Sequence, residues 1–171
     1  MINKPQPGEY APYAAGYVNK VPNGPVLEIL DYLKDSTYNF FARMTDEQAD
    51  YAYTEGKWKL KEVLGHMIDT ERVFAFRALC FSRGEQQHFP GFDQDQYVQN
   101  STFDSRSIQD LALEFKTVRE STLFLYRSLT DEQSLLKGTA SNYATSVRAL
   151  VYMTAGHELY HLDLIKENYI K

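Results

Sequence analysis

The sequence predicts an all-α protein, a four-helix bundle with an extended N-terminal arm, and three observations carry that prediction. Four long stretches place apolar residues at the spacing of a helix face. No strand-like alternation or hairpin dipeptide competes with them. The chain also echoes itself. A helix, Thr-Asp-Glu-Gln, a glycine-containing loop and a helix bearing Gly-His occur twice, with Gly65-His66 in the first half and Gly156-His157 in the second. Halves related in this way make the second and fourth long helices equivalent. At 171 residues the chain reads as one ordinary domain, residues 24–171, behind an arm of residues 1–23.

The arm is rich in proline and carries Tyr10, Tyr13 and Tyr17 without a clear period, as expected of a segment laid over a bundle and anchored by its rings. The first long helix starts near Gly24-Pro25 and runs from Val26 towards Met44. Thr45-Asp46-Glu47-Gln48 is a capping box opening a short helical turn that Gly56 ends. The second long helix spans about Trp58 to Arg83 and is apolar nearly all round, the mark of an element buried on more than one side. Its His66 face nevertheless carries Glu62, Thr70 and Arg77, a polar row. Gly84 to Thr102, with Pro90-Gly91, reads as a loop long enough to shape a site. The third helix starts at Ser105 or Ser107 and runs to Leu129. After Thr130-Asp131-Glu132-Gln133 a second short turn ends at Gly138, and the fourth long helix starts near Thr145 or Ser146.

Net charge is −5 with a pI of about 5.4, and lysines and arginines are scattered among acids, so no basic stripe exists to grip nucleic acid. No segment approaches the apolar length of a membrane span, and residues 1–20 lack the pattern of a signal peptide. With a single cysteine, Cys80, in a helical pattern, a cytoplasmic protein is expected. Thirteen tyrosines and ten phenylalanines favour an aromatic pocket for a small-molecule substrate. The apolar surplus of the second long helix suggests a homodimer.

On the fourth helix, with His157 set at zero, His161 falls at about 40° and Leu150 at about 20°, while Arg148 and Lys166 lie near 180°. Both imidazoles therefore share the inward stripe, where each unsatisfied nitrogen costs about 1–3 kcal/mol. A shared metal ion satisfies both, and the echo brings His66 across the core to join them. Three neutral imidazoles with an open position suit one catalytic divalent transition metal; zinc fits, and imidazole also accepts nickel or iron. Ordinary core histidines bonded to protein acceptors are the plain alternative.

Glu158, about 100° from His157, is a candidate acid/base, an outer acceptor for a ligand histidine or an interhelical ion-pair partner. Asp69, about −60° from His66, is a candidate for the same role there or a solvated carboxylate. Arg77 is a candidate for an anionic substrate group, or an ion-pair partner of Glu71 or Glu62. Cys80 reads as core, His88 as surface and Trp58 as a packing anchor. His157 to His161 also spells H-E-x-x-H, the zinc-protease signature with Glu158 as base, but no histidine follows to supply a third ligand. Glu158-x-x-His161 is half of a di-iron site whose other half is missing, because Val63 precedes His66 by three residues.

Trp58 to His66, Asp69-Thr70-Glu71-Arg72, Arg77, Pro90-Gly91-Phe92 and Ala155 to His161 together resemble the DinB-like superfamily, over about Val26 to Tyr169. The resemblance implies a four-helix bundle of up-down-down-up type and a mononuclear metal on His66, His157 and His161. It also implies a metal-dependent hydrolase or a transferase using a low-molecular-weight thiol as cosubstrate, and supports the homodimer. A binding or stress-response module with a structural metal, closed by Glu158 or Asp69, is the alternative of another class. Lys59, where the family often has a small capping residue, is a departure that touches helix capping alone.

Overall fold

The structure is a computed structural model, described over residues 2–170. Four long helices, α2 (Val26–Ala42), α4 (Leu60–Ser82), α6 (Ile108–Arg127) and α8 (Val147–Asn168), form the bundle. The consecutive helices α2 and α4 are not neighbours: each packs on α6 and α8 instead. The long connections between α2 and α4 and between α6 and α8 make such diagonal crossings possible. Each carries a short helix opened by the repeated capping box, α3 (Asp46–Ala49) and α7 (Asp131–Leu135). In both, the threonine hydroxyl accepts from the glutamine N–H while the glutamine side chain reaches back to the threonine N–H. Asp46 Oδ1 also accepts from the Ile108 N–H at 2.8 Å, so the first box fixes the start of α6.

Three readings need amendment. The arm lies over the bundle, but after Pro12 it turns helical, a 3₁₀ turn (Pro12–Ala14) leading into α1 (Ala15–Lys20). Ala14 and Val18, one turn apart, are buried against the core, a spacing too short to stand out in sequence. The loop after α4 contains α5 (Gln94–Gln99), capped by Asp93. The segment before α8 is an antiparallel hairpin, β1 (Lys137–Ala140) with β2 (Tyr143–Ser146), where no strand was expected. Its turn is Ser141-Asn142, with φ of 52° and 69°, the primed geometry that Asn tolerates and Ser does not advertise. Phe89 donates to the Thr139 carbonyl and accepts from the Ser141 N–H, stitching the α4–α5 loop to this hairpin.

The arm is held by charge as well as by rings. Glu9, buried, receives two bonds from the Arg148 guanidinium and one from the Gln6 N–H at 3.1 Å. Those bonds hold its carboxyl at about 2, below the ordinary 4.5. The stabilisation is therefore fully present above about pH 4.5 and is lost as pH falls through 2. Glu9→Gln is expected to cost about 1.5–3 kcal/mol near neutral pH. The difference in Tm between wild type and variant should shrink steadily below pH 4; a difference that does not change with pH would show that the charge does not hold the arm.

Most of the apolar surface of α4 is covered within one chain, with Phe76 and Leu79 left 55% and 39% exposed. It is covered by α6, α8, α5, β1 and the 3₁₀ turn Phe103–Ser105. Its all-round apolarity therefore does not by itself call for a second copy. No helix among the described residues is long and apolar enough to cross a membrane.

Candidate metal centre

Helices α4 and α8 meet where the two Gly-His dipeptides lie. The glycines set how closely other elements approach: a Cβ on Gly156 would stand 2.0 Å from the Tyr17 carbonyl oxygen of α1, and one on Gly65 would stand 2.4 Å from the Phe103 ring. Close approach at Gly156 lays Tyr17 edge-on against His157, with ring centroids 5.4 Å apart. Trp58, just ahead of α4, lies against His66 at 4.9 Å. The three predicted imidazoles converge inside this aromatic shell. His157 Nε2 is 3.0 Å from His66 Nε2 and 3.1 Å from His161 Nε2, and the ligand atoms of all three lie within 4.8 Å of one another.

Burial keeps them neutral, pushing His66 down to about 4, His161 to about 3, and His157 well below its ordinary value. A neutral imidazole presents one lone pair and one N–H. His157 Nε2 can therefore meet one of its two neighbours by donating or accepting, but a single ring nitrogen does not serve both well. A divalent ion serves all three, since metal–nitrogen bonds of about 2.1 Å at tetrahedral angles separate the nitrogens by about 3.4 Å. The donor set thus fits a divalent transition metal. Thr70 Oγ1 stands 3.5 Å from His66 Nδ1, while His161 Nδ1 is buried with no hydrogen-bond partner among the described residues.

Glu158 is elsewhere. Its carboxylate accepts from the Thr37 hydroxyl at 2.6 Å and meets Arg119 at 2.7 Å; Arg119 in turn donates twice to Glu71, at 2.8 Å each. All three charged groups are no more than 3% exposed. The two carboxylates raise Arg119, and burial raises Glu158. Of its expected roles Glu158 therefore takes the interhelical ion pair. The acid/base role, the fourth-ligand role and the zinc-protease reading all need its carboxylate beside the imidazoles, where it is not. Asp69 likewise stays outside the cluster, partly exposed and 3.7 Å from Arg72. Among the described residues the cluster that could hold a metal ion consists of the three histidines, with no Cys, Asp or Glu beside them.

Two cavities adjoin the histidines, one of about 690 Å³ reaching His161 and one of about 220 Å³ reaching His66 and His157. Tyr17 and Gln94 line both. Of the polar row on α4, Arg77 and Thr70 line the smaller cavity, whereas Glu62 caps the helix by accepting from the Lys59 N–H at 2.6 Å. Cys80 was expected in the core but packs against it only half-buried, and burial raises its thiol; His88 is exposed, as expected.

Sequence reasoning passed over Arg119, Thr37, Tyr17 and Gln94. Arg119 had a signal: Leu111, Phe115, Arg119, Thr122 and Tyr126 share one helical stripe of α6, and an arginine there is inward. Tyr17 and Gln94 had none, because α1 and α5 are too short for a period to register.

The fold and the site define a helical bundle with a buried three-histidine cluster at the mouth of two cavities. The chain belongs to the DinB superfamily, whose family model matches residues 29–165. Its fold is similar to that of YfiT from Bacillus subtilis, described as a "probable metal-dependent hydrolase with an unusual four-helix bundle topology". The TM-score is 0.76 at 17% identity, over 94% of this chain and 92% of that one, a likeness of fold. No curated protein matches the chain in sequence.

Proposed function

We propose that the protein is a metal-dependent enzyme acting on a small molecule, with His66, His157 and His161 as ligands of one divalent transition metal. The observation that carries the reading is the convergence of three neutral Nε2 atoms, with no Cys, Asp or Glu beside them among the described residues, at the edge of two cavities. The YfiT description supports hydrolysis, and the presence of two cavities supports a transferase in which a low-molecular-weight thiol takes the larger one. Zinc, nickel or iron held there would supply Lewis acidity and lower the pKa of a coordinated water or thiol.

The chain's own residues do the rest. Burial keeps the imidazoles unprotonated across the physiological range. Trp58 and Tyr17 exclude water from their edges. The two cavities reach different histidines, His161 from the larger and His66 and His157 from the smaller, an arrangement that suits two reactants. The half-buried thiol of Cys80 is consistent with a cytoplasmic setting. For the homodimer, the supporting surface is now the outer face of α6, where Leu113 and Phe124 are 56% and 77% exposed and about 20° apart around the axis.

Native mass spectrometry of the purified protein is expected to show one metal per chain and two chains per particle. In cobalt-substituted protein a small thiol should alter the visible spectrum, because a thiolate entering an exchangeable position is a soft ligand with strong charge-transfer bands. Indifference of the spectrum to thiols, hydroxamates and other added ligands would favour the structural-metal module, and a monomeric particle would remove the dimer.

A further inference from the structure

Among the described residues, buried cations come with acids, with one exception. Arg119 has Glu71 and Glu158 and Lys61 has Asp50 at 2.9 Å, and the half-buried Arg148 likewise has Glu9. Arg77 is 6% exposed and meets no carboxylate among the described residues; its Nη2 donates to the Pro90 carbonyl at 2.6 Å. Burial lowers it with no acid to lift it back. A guanidinium offers five N–H donors in a planar fork, and one carbonyl occupies little of that capacity. Leaving a buried charge unpaired is costly.

The surroundings are built from five separate parts of the chain. The Pro90 carbonyl is brought to Arg77 by the loop that Phe89 ties to the hairpin. Ser141 of the hairpin, Gly91 of that loop, Tyr13 of the arm, Thr70 of α4 and Met153 of α8 complete the walls. His66 and His157 line the same 220 Å³ space. Arg77 and His66 are eleven residues apart on α4, about 16 Å along its axis.

We propose that this smaller cavity is the subsite for an oxyanion, the carboxylate or phosphate of a small substrate, gripped by Arg77 while the substrate's other end reaches the histidines. The inference rests on the enzymatic reading above and names its substrate class. Arg77 supplies the paired, parallel N–H donors that such a group accepts. Gln94 and Tyr17 also line the space, and the 220 Å³ volume restricts the site to small molecules.

The test is an NMR titration of ¹⁵N-labelled, metal-loaded full-length protein with propionate, methyl phosphate and the neutral propionamide. Saturable shifts of the Arg77 Nε–H are expected from the anions and not from the amide, and the stronger of the two anion responses identifies the group. Read on the Gly91 amide, Arg77→Gln should weaken anion binding at least about tenfold, and Arg77→Lys, which keeps charge but loses the fork, by less. An equal response to propionamide, or undiminished binding in either variant, would overturn the subsite; Arg77→Lys decides if the glutamine variant does not fold. In His66→Ala the anion response should persist whatever happens to the metal. A response that vanishes there would place the anion on the metal and overturn the Arg77 assignment, whereas loss of metal binding in wild type with the anion response intact would overturn only the metal reading.

Discussion

His157→Ala is expected to leave the helices formed and the protein without metal. His157 Nε2 lies 3.0 and 3.1 Å from the other two ring nitrogens, so its removal takes away the donor nearest to both of the others. Losing an outer-shell partner of a ligand already costs about 10–100-fold in affinity, and losing the ligand itself costs more. The fold should tolerate the change, because α8 is anchored along its length by Val147, Leu150, Val151 and Ile165, all buried. Metal content after dialysis and far-UV circular dichroism would check the two halves of the expectation. Glu158→Gln is the contrasting variant: its carboxylate faces Arg119 and Thr37, so the metal should stay. Full metal retention in His157→Ala would exclude it as a ligand, and metal loss in Glu158→Gln would put the glutamate closer to the ion than its contacts place it.

Much of this site was legible because it is written in helices. Period fixes angle, so His157 and His161 could be placed on one stripe and Glu62, Thr70 and Arg77 on the His66 face without knowing any contact. The repeated Thr-Asp-Glu-Gln and Gly-His then paired α4 with α8. What remained hidden was of two kinds. Short elements are the first kind: α1 and α5 bury one residue each and each strand of the Ser141-Asn142 hairpin two, too few to impose a pattern, yet they supply Tyr17, Gln94 and Ser141 to the cavities. Partner choice was hidden too. The sequence allowed Glu71 to pair with Arg77, but Glu71 turns to α6 and leaves Arg77 to the cavity, a competition that depends on which helices are neighbours. Glu158 was ambiguous for the same reason. At about 100° from His157 it sits on the flank of α8, and only the position of Arg119 settles which way it is used.

Arg119→Leu is expected to be the most destabilising single change, lowering stability by about 3–5 kcal/mol, because it strands two buried carboxylates. Glu71 and Glu158 are 3% and 2% exposed, and after the substitution Glu158 keeps the Thr37 hydroxyl while Glu71 loses both guanidinium bonds. The Leu30 carbonyl, which accepts from Arg119 Nη1 at 3.3 Å, loses its donor as well. For a chain of this length the cost corresponds to a fall in Tm of roughly 6–20 °C. If the cause is stranded charge, neutralising the carboxylates should restore part of the loss: the triple variant Arg119→Leu, Glu71→Gln, Glu158→Gln should be more stable than Arg119→Leu alone, a non-additivity that lost packing cannot produce. Urea unfolding of the single and triple variants measures it. A triple variant less stable than the single one would mean that the arginine acts through its packing between α2, α4 and α8 and that its charge matters little.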